Sequence, residues 1–170
     1  MIKPSEVKSK ALRLEEQNYK FRAFLRNRAD YDELDEQFLA LHKELFANNN
    51  CCNCGNCCKE FEITLGEDEA KRIAAFLNMT ENDFATEYLT KADAFDDNPY
   101  KFSSKPCVFL EVDGRCRIQK CKPDDCMGFP FTDRPNRMSS LLGVISHAEV
   151  CPVVFEILER LKVIYRFRNR

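Results

Sequence analysis

The chain has 170 residues, 44% hydrophobic and 32% charged, which suits one globular domain with or without an appendage and excludes a disordered or fibrous chain. A net charge of -2 gives no global footprint for nucleic acid or an anionic membrane surface. No apolar run approaches the roughly twenty residues that cross a bilayer, so no membrane association is expected.

The first residues, Met1-Ile2-Lys3-Pro4-Ser5, lack the apolar core and small-residue cleavage site of a secretory signal, so the expected location is cytoplasmic. A helix is predicted over 4–28, with Val7, Ala11, Leu14, Phe21, Phe24 and Leu25 recurring at three- and four-residue intervals. A second helix follows, capped by Asp30 and striped by Leu34, Phe38, Leu41, Leu45 and Phe46, and Asn48-Asn49-Asn50 ends it. The pair reads as a helical hairpin. Lys20, Arg22, Arg26 and Arg28 precede an acidic run at Asp30, Asp32, Glu33, Asp35 and Glu36, read as solvated faces that pair with each other rather than as a nucleic-acid arm.

Next comes Cys51-Cys52-Asn53-Cys54-Gly55-Asn56-Cys57-Cys58, five thiols in eight residues with Cys51, Cys54 and Cys57 at three-residue steps. A two-residue spacer brings two sulfurs to one side of a turn, and Gly55 permits the positive φ of a tight knuckle. Thiolates packed this closely repel one another unless a cation lies among them. The even count of ten cysteines would suit disulfides in a secreted chain. The cytoplasmic expectation and the strain of bridging adjacent cysteines favour metal instead.

Phe61, Ile63 and Leu65 alternate with polar residues as in a half-buried strand that Gly66 ends. A helix is expected over 67–77, then another capped by Thr80 with Asp83 three residues on, and a loop from Lys91 to Ser104. Strands at 106–110 and 116–118 around Asp113-Gly114 form a predicted hairpin bringing Cys107 and Cys116 together. Cys121, Cys126 and Phe129-Pro130-Phe131 follow. Pro152 opens a final helix with Val153, Val154, Ile157, Leu158, Leu161 and Ile164 on its core face, which places Cys151 at a helix N-terminus where the dipole favours its thiolate.

These residues together resemble the YkgJ-type or CxxCxxCC cysteine-cluster family, whose implied property is chelation of zinc or iron. The likeness covers about residues 51–152 through Cys51-x-x-Cys54-Gly55-x-Cys57-Cys58, Pro106-Cys107-x-Phe109-Leu110, Gly114-x-Cys116-x-Ile118, Pro123-x-x-Cys126 with Phe129-Pro130-Phe131, and Cys151-Pro152. It implies eight metal ligands: Cys51, Cys54, Cys57, Cys58, Cys107, Cys116, Cys126 and Cys151. Cys52 and Cys121 fall outside the pattern, and Cys121 reads as a small buried hydrophobe. Two positions depart from it, Met127 where members usually carry Arg and Gln119 where a tyrosine is common.

Eight thiolates divide into two tetrahedral zinc sites, or a four-iron [4Fe-4S] cluster plus a zinc, or one cluster with the rest structural. The three-residue steps followed by a remote Cys-Pro tilt the reading toward an iron–sulfur cluster, and Cys58 directly after Cys57 departs from ferredoxin spacing. The expected fold is α+β and mainly helical: an N-terminal helical hairpin over 1–48, and over 49–170 a cysteine-cluster domain with a small metal-stapled loop and hairpin core. The expected function is metal binding for handling, sensing or partner docking, with the N-terminal helices as the surface for a protein partner. The alternative is a metal-cluster enzyme of methyl transfer or redox chemistry, since the flagellin lysine methylases contain a cysteine domain of this kind. No Gly-rich nucleotide loop supports it, and of the two histidines only His147, four residues before Cys151, is placed to approach a metal.

Overall fold

The computed structural model describes residues 1–47 and 51–169, with residues 52 and 53 as backbone only. The expected stop at Asn48-Asn49-Asn50 lies outside the described residues, as does the Cys52 side chain. The chain is 59% helical with one small antiparallel sheet of three strands, the mainly helical α+β class its sequence predicts. It divides into two compact units, Met1–Asn50 with Pro130–Arg170, and Cys51–Phe129.

In the first unit a 3-10 turn at Pro4–Glu6 leads into α1 (Val7–Arg13) and α2 (Glu15–Arg28). The single helix expected over 4–28 is therefore interrupted at Leu14, whose φ of -102° and ψ of 4° leave the helical region. The Asp30 carboxylate caps α3 (Tyr31–Ala47), accepting the amides of Asp32 and Glu33 at 3.0 Å each. Phe21, Leu25, Leu34, Phe38 and Leu41 of α2 and α3 are buried together with Val153, Val154, Ile157 and Leu158 of the C-terminal helix.

Helix α9 (Arg137–Ala148) has no counterpart in the sequence reading. Its first turn is capped from another helix, because Asp35 of α3 accepts the amides of Asn136 at 2.6 Å and Arg137 at 2.8 Å. A local cap search cannot find a carboxylate about a hundred positions away. The final helix, α10 (Pro152–Ile164), starts at Pro152 as expected, though Ile164 is 47% exposed and Phe155 is buried in its place.

The second unit opens with two short helices, α4 (Cys51–Cys54) and α5 (Asn56–Glu60), joined through Gly55 at φ +61°. Helix α5 ends at Glu60, and the strand expected from Phe61 is shorter, β1 (Thr64–Leu65). Helices α6 (Glu67–Phe76) and α7 (Glu81–Tyr88) follow, and Thr80 caps α7 by accepting the Asp83 amide at 3.1 Å. The Asp83 carboxylate is too short to reach back to the Thr80 amide and instead accepts the Thr80 hydroxyl at 2.7 Å.

Strand β2 (Leu89–Lys91) ends where the expected loop begins, and β3 (Tyr100–Phe102) lies inside that expected loop as the central strand of the order β1-β3-β2. Its pairing aligns Lys101 with both Thr64 and Thr90. Three residues are too few for a period-2 pattern to register. The expected 106–118 hairpin is reduced to one antiparallel bridge, Leu110 to Cys116. Its turn forms as predicted, with the Gly114 amide donating to the Glu111 carbonyl at 3.0 Å and Gly114 at φ +82°. Around it sits a separate small core of Leu65, Ile73, Phe84, Phe109 and Ile118.

Candidate metal centre

Helices α4 and α5 carry the first cysteine run, and the second run begins where the backbone returns to it: the Cys107 amide donates to the Cys58 carbonyl at 2.7 Å. The Leu110–Cys116 bridge then brings Cys116 back beside Cys107. Pro123 precedes α8 (Asp124–Gly128), the one-and-a-half-turn helix that presents Cys126. Two side chains of α6 fix the approach to α8. Glu69 accepts the Asp124 amide at 2.7 Å, and Arg72 donates to the Lys122 carbonyl at 2.9 Å and to the Asp124 carboxylate at 3.3 Å.

The outcome is a cavity of about 50 Å³ into which Cys57, Cys58, Cys107, Cys116 and Cys126 all face. Ile63, Phe102, Ile118, Pro123 and Phe129 form its apolar walls, and among the described residues Lys122 is the cation that lines it. All five cysteines are half-buried. The nine cysteine side chains that are described are thiols rather than cystines.

The remaining expected ligands are not among the residues that line this cavity. Cys54 lines a shallow depression with Gly55, Lys59 and the 110–114 turn. Cys51 is exposed, and its charge acts on Cys57. Cys151 belongs to the first unit, where it is the N-cap residue of α10 and packs against that unit's core. Cys121 is buried in the apolar core of the second unit, in keeping with its reading as a small hydrophobe. Among the described residues, no three His, Cys, Asp or Glu side chains are drawn into coordinating geometry. His147 lies in the first unit, its Nδ1 3.4 Å from the Pro130 carbonyl. His42 is half-buried, its Nδ1 2.8 Å from the Thr132 hydroxyl.

The electrostatics of the cavity follow from its crowding. The Cys57 and Cys58 sulfurs are 4.0 Å apart. The Cys58 pKa is lowered by its hydrogen bond with Cys57 and by the nearby Lys122 and Lys59 ammonium groups, against the opposing effect of burial. Cys57 is correspondingly raised by that hydrogen bond and by burial. Burial, and then the charges of neighbouring cysteines, push Cys126 up to about 12 and raise Cys107. In this pocket one thiolate forms readily and each further one is opposed by those already there, a set that ionises together only around a cation.

Sulfur donors from four separate stretches of chain, gathered at the edge of a small core, define a thiol-rich domain of the metal-chelating class, and the donor set fits a thiophilic ion such as zinc or iron. The chain belongs to the CxxCxxCC family, described as a putative zinc- or iron-chelating domain, which matches residues 50–152. Comparison with curated proteins and with solved structures found no match. The sequence pattern marked all five cavity cysteines, but gave no sign of Lys122 or of the α6 pair Glu69 and Arg72. Those three act through backbone atoms and wall position, which leave no spacing to read.

Proposed function

We propose that the second unit is a metal-chelating module in which four of the five cavity thiols hold a zinc ion, for metal handling, sensing or the docking of a partner. The single observation that carries this reading is the convergence of Cys57, Cys58, Cys107, Cys116 and Cys126 on one cavity. Four thiolates around one ion make the tetrahedral sulfur set of a structural zinc site. Cys51 and Cys54, in the same unit, are then ligands of a second site or accessory thiols that exchange metal with the first. Binding energy at such a site is folding energy, because the cavity joins segments 50 to 70 positions apart.

A second reading keeps an iron–sulfur cluster, supported by the three-residue steps of Cys51, Cys54 and Cys57. Chain purified without oxygen and analysed for zinc, iron and sulfide separates the two. A colourless protein with stoichiometric zinc supports the first, and a brown protein with equal iron and sulfide supports the second. Protein that folds fully with neither ends both.

A further inference from the structure

The wall of the thiol cavity is sulfur and hydrocarbon except at Lys122, and the backbone that delivers this residue is held on both sides. Cys121 before it is buried in the small core, its amide donating to the Ile118 carbonyl at 2.9 Å. Pro123 after it is a buried residue of the same cavity wall, with φ fixed by its ring, and it starts α8. The Lys122 carbonyl itself accepts from Arg72 at 2.9 Å. Only the flexible four-carbon stem is left to place the ammonium.

A half-buried ammonium beside hydrocarbon and sulfur gives up part of its hydration and needs an anion in return. Carboxylates do not supply it. Asp124, two positions on, is paired with Arg72 at 3.3 Å, and among the described residues no ion pair joins Lys122 to an aspartate or glutamate. Its charge acts instead on two of the five sulfurs, Cys58 of α5 and Cys126 of α8, which come from widely separated stretches of chain. Lys59 also acts on Cys58, but it is exposed and lines the shallow depression with Cys54, where water and salt screen it.

The thiolates of the cavity are therefore the counter-charge within reach of Lys122. Four thiolates around a divalent ion carry two more negative charges than positive ones, held against an apolar wall where such charge is poorly screened. One ammonium offsets half of that excess. An ammonium has no lone pair to offer a metal, so the residue acts through the sulfurs.

We propose that Lys122 is the built-in counter-cation of the metal centre and sets how tightly the cavity thiolates hold a divalent ion. The proposal rests on the metal-centre reading above and adds to it a residue that no cysteine spacing marks. Without metal the cavity holds fewer negative charges for Lys122 to offset, so its removal is felt mainly in the loaded protein.

The test uses the full chain purified without oxygen, stripped of metal and reloaded with Zn²⁺ or Co²⁺. Affinity is read by competition with a chelator and by the thiolate charge-transfer band of Co²⁺. Lys122→Gln should weaken binding of both ions by about 10- to 100-fold, while the circular dichroism and thermal midpoint of the metal-free chain stay as in wild type. Lys122→Arg keeps the charge and should recover most of the affinity. Lys59→Gln should cost a few-fold at most, and that loss should vanish in about 1 M salt, whereas the loss in Lys122→Gln should persist.

Equal affinity in Lys122→Gln and wild type would overturn the proposal. So would an arginine variant as weak as the glutamine one, or a metal-free Lys122→Gln chain that has lost helix, since either marks a steric or structural role in place of a charge. Wild-type chain that binds neither ion would overturn the metal-centre reading, and the role of Lys122 with it. Tight binding by wild type together with equally tight binding by Lys122→Gln would overturn this inference alone.

Discussion

The Glu69 carboxylate holds two backbone amides at once, that of Gly66 at 2.7 Å and that of Asp124 at 2.7 Å. The first bond closes the start of its own helix, and the second fixes the start of α8, fifty-five positions on, where Cys126 is carried. One side chain thereby joins a local helix cap to the geometry of the thiol cavity. Replacing Glu69 by Ala removes both acceptors, and the expected cost is about 1–3 kcal/mol, the sum of a lost cap and a lost hydrogen bond. The variant should also lose metal to a competing chelator faster than wild type. Arg72→Ala, which still leaves the Glu69 bond to Asp124, should show a smaller version of both effects. Denaturant unfolding and chelator competition measure them, and an unchanged release rate in Glu69→Ala would show that α6 does not set the position of Cys126.

Cys126 and Cys121 are five residues apart and are expected to behave oppositely. Cys126 faces the cavity, whereas Cys121 sits in the core with Leu65, Ile73 and Ile118. Cys126→Ser should lower metal content and destabilise the second unit, since the ion's binding energy contributes to folding. Cys121→Ala should leave metal content unchanged and cost about 1 kcal/mol for the lost core volume. Metal-to-protein ratios for the two purified variants decide the matter, and equal losses would place Cys121 among the ligands.

Gly55 stands between the two helices of the first cysteine run at φ +61°. A Cβ added there would meet nothing closer than Lys59 Cε at 3.8 Å and Leu110 Cδ1 at 3.9 Å, so space is available and the backbone conformation is the obstacle. Gly55→Ala is expected to cost about 1–2 kcal/mol. Gly55→Asn should recover part of that, because asparagine tolerates the left-handed region. Thermal unfolding of both variants checks the order, and an alanine variant as stable as wild type would show that the knuckle is held by something other than this dihedral.

What the sequence disclosed, and what it withheld, follows the range over which each interaction acts. The helix starts at Asp30, Thr80 and Pro152 were legible because cap and helix lie within a few residues of each other. The Gly114 turn was legible for the same reason. Helix α9 was missed because its cap, Asp35, lies in a different helix. Strand β3 was missed because three residues give no pattern, and its place at the centre of the sheet comes only from pairing with Thr64–Leu65 and Leu89–Lys91. In the thiol cavity, the cysteines announced themselves by spacing, while the division between those that line one space and those that stand apart is tertiary and leaves no mark in the spacing.

His42 offers a test of the first unit that is independent of metal. Its ring lies tilted by 38° against Phe46, with centroids 4.6 Å apart, and its Nδ1 lies 2.8 Å from the buried Thr132 hydroxyl. Burial lowers its pKa below the ordinary value of 6.5, with Lys43 adding to that shift and Asp133 opposing it. The folded chain thus binds a proton at this position less readily than the unfolded chain, so the unfolded state gains protons first as pH falls. The contribution of His42 to stability is complete above about pH 6.5 and is lost progressively as pH drops below that, through its folded-state value. Thermal midpoints should therefore fall from pH 7.5 to pH 5.5 in wild type, and His42→Gln should flatten part of that slope by removing the titrating group. A titration of the His42 Cε1 proton by NMR measures the shift directly. A midpoint at or above 6.5, or an unaltered pH slope in the variant, would show that the ring is charged as easily in the fold as in water.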